Sequence, residues 1–249
     1  MQDNSYLGRC TICGYGGVFE KNAASFREGY QCDSCKASLR YQGQASAILS
    51  VFSNSQSAAL QDLVGEERFR SLSIYEPGVA GPFRKLLSDF PHYVNSFYWD
   101  DVALGAEREG IQCQSLEDLT FESAKFDLII SSDIMEHVRK PWAAYSEIFR
   151  VLKPGGCHIF SLPLHLPMPT FTKYRVDTSA EEDVHIEEPH YHGDGKGGRS
   201  LVYTDFGADM LSNLSMLGYE VTCHAMDGEH PHVKKLVTFV TKKPIKDAT

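Results

Sequence analysis

The sequence predicts an α/β protein, a doubly wound and mostly parallel sheet with a small cysteine-rich module in front of it. Three observations predict this. From residue 71 onward, short apolar runs of strand character alternate with segments of helical periodicity. Four of the seven cysteines crowd into residues 10–35. A length of 249 residues with 42% hydrophobic content suits one sizeable core with an appendage rather than two full domains.

The cysteines come first in the chain. Cys10-Thr11-Ile12-Cys13 and Cys32-Asp33-Ser34-Cys35 are two CxxC knuckles with 18 residues between them, a spacing at which four thiolates close on one metal ion. Small or flexible residues follow each, Gly14 to Gly17 and Lys36 to Ser38, and let the backbone wrap the sulfurs. The pattern resembles a zinc ribbon over residues 1–44, with Cys10, Cys13, Cys32 and Cys35 as ligands of a structural zinc. So short a segment buries little apolar surface, and the metal would supply most of its folding free energy. Cys113, Cys157 and Cys223 lie in or beside apolar runs and read as small hydrophobes.

Residues 45–70 read as a helical connector, two short helices with Ile48, Val51 and Phe52, then Leu60, Leu63 and Val64, forming apolar stripes. The main domain follows over residues 71–249. Strands are expected at Leu72 to Tyr75, Tyr93 to Phe97, near Gln112, at Phe126 to Ser131 and at Cys157 to Leu162. Helices are expected from Pro82 to Phe90 and from Pro141, the latter stopped by Lys153-Pro154-Gly155-Gly156. Residues 164–203 form a Pro- and His-rich insertion whose Gly193 to Gly198 run reads as a flexible loop. Beyond it Thr204 is expected to cap a helix through Leu217, and Glu220 to His224 with Leu236 to Lys242 to close the sheet.

The turn Ile74-Tyr75-Glu76-Pro77-Gly78-Val79-Ala80-Gly81-Pro82 is similar to the acidic, glycine-rich turn that opens class I methyltransferases. The run Leu116 to Phe121, Phe126-Asp127-Leu128-Ile129-Ile130, Glu136-His137-Val138 and Glu147 through Gly156 resembles the type 11 family of S-adenosylmethionine-dependent methyltransferases in the order of its blocks. That resemblance implies a Rossmann-like, seven-stranded sheet with an antiparallel edge, and S-adenosylmethionine as cofactor. It places Glu76, Gly78 and Gly81 at the methionyl end, Ser115 and the Leu116 backbone at the adenine, and Asp133 in the cofactor crevice. Ser96, Tyr98 and Asp100 are alternatives for the ribose contact, since no acid stands clearly at the end of the second strand.

Methyl transfer needs alignment and exclusion of water, and a hydroxyl acceptor benefits from a group that takes its proton. His192 and His190 are the leading candidates, with His137, then His165, His185, Glu187, Glu188 and Asp194 around them. The zinc-ribbon start with Pro189 to Asp194 and Leu201 to Gly207 looks like bacterial methyltransferases associated with surface glycans, implying a sugar hydroxyl or amine acceptor in polysaccharide biosynthesis. The alternatives are an RNA base methyltransferase docking through the ribbon and a non-catalytic scaffold of the same fold. A net charge of −9 argues against nucleic acid. The ribbon sets Arg9, Lys21, Arg27, Lys36 and Arg40 against Asp3, Glu20, Glu28 and Asp33, and four thiolates on zinc would make it slightly negative. A protein partner or self-association suits it better. Met1 to Arg9 is polar and no apolar run of about eighteen residues occurs, so a cytoplasmic chain without a membrane span is expected.

Overall fold

The computed structural model describes residues 4–54, 57–193 and 197–245. Its centre is an eight-stranded sheet built from β3 (Ile74–Pro77), β4 (Tyr93–Phe97), β5 (Glu107–Arg108), β6 (Ile111–Cys113), β7 (Phe126–Ser132), β8 (Leu152–Ser161), β15 (Glu220–Ala225) and β16 (Val237–Lys242). The order across the sheet is β15-β16-β8-β7-β3-β4-β6-β5. Strands β3, β4, β6, β7 and β8 run parallel, while β16 and β15 close one side antiparallel. Seven of these strands make the Rossmann-like methyltransferase arrangement. The eighth, β5, is a two-residue antiparallel addition to β6, too short to leave a periodic trace in sequence.

Chain order reverses between β3 and β7, so their carboxyl ends diverge and open the crevice where ligands bind in such sheets. Continuous apolar runs buried on both faces explain the central strands: Leu128, Ile129 and Ile130 of β7 are all fully buried. Where β8 meets β7, a side chain on Gly156 would collide with the backbone carbonyls of Phe126, Lys153 and Asp127, so a glycine is required.

One face is covered by α1 (Leu39–Phe52), α2 (Leu60–Leu63), α3 (Glu67–Arg70) and α4 (Pro82–Leu87), the other by α5 (Pro141–Val151) and α6 (Asp209–Met216). The connector is thus three helices, and α1 begins at Leu39. Thr204 does not cap α6. It sits in β14 (Thr204–Asp205), which pairs with β9 (Lys173–Tyr174), and α6 starts five residues later at Asp209 because Gly207 lies hard against the Phe171 backbone.

The insertion carries two further hairpins, β10 (Val176–Asp177) with β11 (Val184–His185) and β12 (Tyr191–Gly193) with β13 (Arg199–Leu201). The loop reading of Gly193 to Gly198 falls partly outside the described residues, as does Asp194. Cys113 and Cys157 are buried as expected, whereas Cys223 is exposed on the edge strand β15. Among the described residues, no helix is long and apolar enough to cross a membrane.

The ribbon is the hairpin of β1 (Ser5–Arg9) and β2 (Gly16–Glu20) with the two knuckles. It shares one apolar core with the sheet: Cys10, Ile12, Phe19, Tyr30 and Cys32 belong to the same buried cluster as Ile74, Leu128 and Ile159. A short helix, α7 (Pro231–Lys235), meets it, with the Tyr30 hydroxyl 2.6 Å from His232 Nδ1.

Candidate active site

The four ribbon thiols converge as the spacing predicts. Both knuckles have one geometry: the fourth amide after the first cysteine bonds back to that cysteine's carbonyl, Gly14 to Cys10 and Lys36 to Cys32, each at 2.8 Å. Gly14 and Lys36 accordingly occupy the left-handed region, with φ of 78° and 61°. Cys10 and Cys35 sulfurs lie 3.7 Å apart and those of Cys13 and Cys32 3.5 Å, all four atoms falling within 4.8 Å of one another. A tetrahedron of zinc–sulfur bonds of about 2.3 Å separates its sulfurs by about 3.8 Å, so the quartet is compatible with zinc.

At the crevice, β3 carries Glu76 into a buried position only 4% exposed, where its carboxylate accepts a 2.6 Å hydrogen bond from the Tyr93 hydroxyl. Burial pushes the Glu76 carboxyl up to about 7, against the opposing pull of that hydroxyl and of Arg84. Opposite Glu76 in register stands Asn95, whose side-chain nitrogen is buried without a hydrogen-bond partner. An orphaned amide donor beside a buried carboxyl fits a polar ligand such as the amino-acid end of S-adenosylmethionine. Gly78 and Gly81 hold φ of 108° and 117° in the turn beyond. A side chain at Gly81 would strike the Tyr41 ring, so α1 covers this turn.

Ser96 is buried with its hydroxyl 2.7 Å from that of Tyr75. Tyr98 is exposed just beyond β4, as is Asp100. Ser115 follows β6 and its hydroxyl accepts from the Glu117 amide at 3.2 Å, while Leu116 is buried beside it.

Asp133, just past β7, has φ of 52° and is clamped by the ribbon. Both Arg27 terminal nitrogens donate to its two oxygens at 2.7 Å, Ser161 donates at 2.7 Å, and Arg40 Nε stands 3.3 Å away. Burial alone would raise this carboxyl; the Arg40 and Arg27 guanidiniums and the Ser161 hydroxyl outweigh it and hold the group below the usual carboxylate range. Arg27 and Arg40 carried no sequence signal for this role, because the pairing spans more than ninety residues.

Beyond Asp133, the 3-10 turn Met135–His137 presents Glu136 and His137, and the β12–β13 hairpin folds over it to deliver His192. His137 Nδ1 lies 2.8 Å from the Leu201 carbonyl, and His192 Nδ1 stands 3.2 Å from His137 Nε2. The His190 ring is edge-on to His192 with centroids 4.9 Å apart. The structure therefore brings His137, His190 and His192 together. His165 instead stands 3.6 Å from Asp205, and His185 lies on β11. Glu136 joins this group; its signal was adjacency to His137, and only folding shows it to be buried.

Residues 98–160 match the methyltransferase domain family. That block runs from just after β4 through most of β8. Three curated proteins of Mycobacterium tuberculosis strains, each described as an uncharacterized methyltransferase, are 40% identical over 48 residues. That stretch is 19% of this chain and 19% of each relative, so the chain matches about a fifth of their length. Among solved structures, an S-adenosylmethionine-dependent methyltransferase from Mesorhizobium loti is 16% identical, with 69% of this chain and 90% of that one covered and a TM-score of 0.43. A Pyrococcus horikoshii protein is also 16% identical, covering 79% and 95% with a TM-score of 0.43.

Proposed function

We propose that this chain transfers the methyl group of S-adenosylmethionine to a hydroxyl or amine of a sugar or glycan acceptor. The observation that carries the reading is the joining, at the diverging ends of β3 and β7, of a cofactor-type turn (Glu76, Gly78, Gly81) to a histidine cluster (His137, His190, His192). The cofactor supplies an electrophilic methyl on a sulfonium. Glu76 and Asn95 receive its amino-acid end, Ser115 and Leu116 meet the adenine, and Tyr41 excludes water from above the glycine turn. The acceptor loses its proton beside the histidine cluster.

The insertion itself forms most of an open concavity of about 470 Å³, lined by Lys140, Tyr174, Val176, Thr178 and Ile186, a size suited to a small acceptor. The test is calorimetric titration with S-adenosylmethionine and its demethylated product, followed by transfer assays on nucleotide sugars. Micromolar binding with methylation of a sugar supports the proposal, and no binding by folded protein overturns it.

A further inference from the structure

Glu136 is 1% exposed, and neither of its carboxylate oxygens has a hydrogen-bond partner. An uncompensated carboxylate in that position is costly, and the cost is relieved by a proton or by a bound cation. Two imidazole nitrogens face it. His137 Nε2 is 3.5 Å and His192 Nδ1 3.7 Å from Glu136 Oε1, and the two nitrogens are 3.2 Å from each other. His137 donates from Nδ1 to the Leu201 carbonyl at 2.8 Å, which leaves the Nε2 lone pair pointing at the group. One point lies about 2 Å from all three atoms, the length of a zinc–imidazole or zinc–carboxylate bond.

We propose that Glu136, His137 and His192 bind a divalent first-row transition-metal ion, separate from the cysteine quartet, with its remaining positions open to the acceptor. The two nitrogen ligands and one oxygen ligand favour such an ion over magnesium or calcium, which prefer oxygen donors. Three protein ligands are the usual number when a metal keeps a position for substrate. This role rests on the methyl-transfer reading. The acceptor hydroxyl oxygen binds the ion, which lowers its pKa, and the proton leaves to solvent. An oxygen–carbon bond to the methyl then forms as the sulfur–carbon bond breaks, leaving a neutral thioether. Since His192 arrives on the insertion hairpin, metal binding also fastens the insertion to the sheet.

The full chain is purified without chelator, its metals are counted, and it is titrated with cobalt(II). The expected result is one equivalent in a thiolate site, with intense sulfur-to-cobalt charge transfer on exchange. A second equivalent should give only weak visible bands typical of nitrogen and oxygen ligands. His192→Ala, on a part-exposed hairpin, and Glu136→Gln should each weaken that second equivalent at least tenfold and spare the first; Cys32→Ser should spare the second. A single equivalent in the wild-type chain, or a second one indifferent to His192→Ala, overturns the proposal. Cofactor affinity on the same samples tests the methyl-transfer reading independently, because metal stoichiometry does not depend on it.

Discussion

Two buried ionisable groups pull stability in opposite directions with pH. Glu76 ionises near 7 in the folded chain and near 4.3 when unfolded, so its contribution is complete below pH 4.3 and is lost as pH rises toward 7. His158, fully buried on β8 with its Nε2 2.8 Å from the Ser131 hydroxyl, is pushed down to about 3 by burial. Its contribution is complete above pH 6.5 and is lost as pH falls. Each is worth about 1.4 kcal/mol per pH unit, and between pH 4.5 and 6.5 they offset one another. Glu76→Gln should therefore stabilise the chain at pH 7.5 by on the order of 3 kcal/mol and make it more acid-labile, while weakening S-adenosylmethionine at least tenfold. His158→Phe keeps the stack on Phe160 and should leave stability falling as pH rises through the same window. Urea unfolding at pH 5, 6 and 7.5 checks both, and parallel pH profiles for all three proteins would refute the assignment.

Helix α1 shows what an element adds to its residues. Gln42 bonds the Tyr30 and Ala37 carbonyls of the ribbon, Gln44 bonds the Ser131 carbonyl and accepts from Ser132, and Gly43 lies where an added side chain would collide with Leu236. Alanine at an exposed helical glycine gains about 1 kcal/mol, but Gly43→Ala must displace the buried Leu236 side chain and should cost a net 1–3 kcal/mol, read as a lowered thermal midpoint. A stabilised variant would show that α1 has room to shift.

Sequence made the central sheet legible because β7 and β8 carry continuous apolar runs and α5 a helical period, although β8 begins at Leu152, five residues before the expected strand, and takes in the Lys153 to Gly156 segment read as a helix stop. The cysteine quartet was legible for a similar reason, its members being set by local spacing. Thr204 misled because a capping residue is only a local preference, which pairing to Tyr174 overrides. The Glu136, His137 and His192 grouping joins a turn to a hairpin some fifty-five residues later, and no short-range pattern encodes that.

At the scale of the molecule, the shared core makes the ribbon and the sheet one cooperative unit. Calorimetry should show a single unfolding transition that chelation of the ribbon metal moves down as a whole; a separate early transition would contradict this. Arg27→Ala leaves the Asp133 charge with Arg40 alone and should cost about 2–4 kcal/mol, seen as a shift of that same transition. The clamp also carries a consequence for biosynthesis. The first forty residues leave the ribosome early, yet the partners that finish them, Asp133 for Arg27 and His232 for Tyr30, are synthesised about one hundred and two hundred residues later. Until the segment around Pro231 has emerged, the nascent ribbon must wait with its aromatic face uncovered, so a module made ahead of the sheet is among the last to be completed.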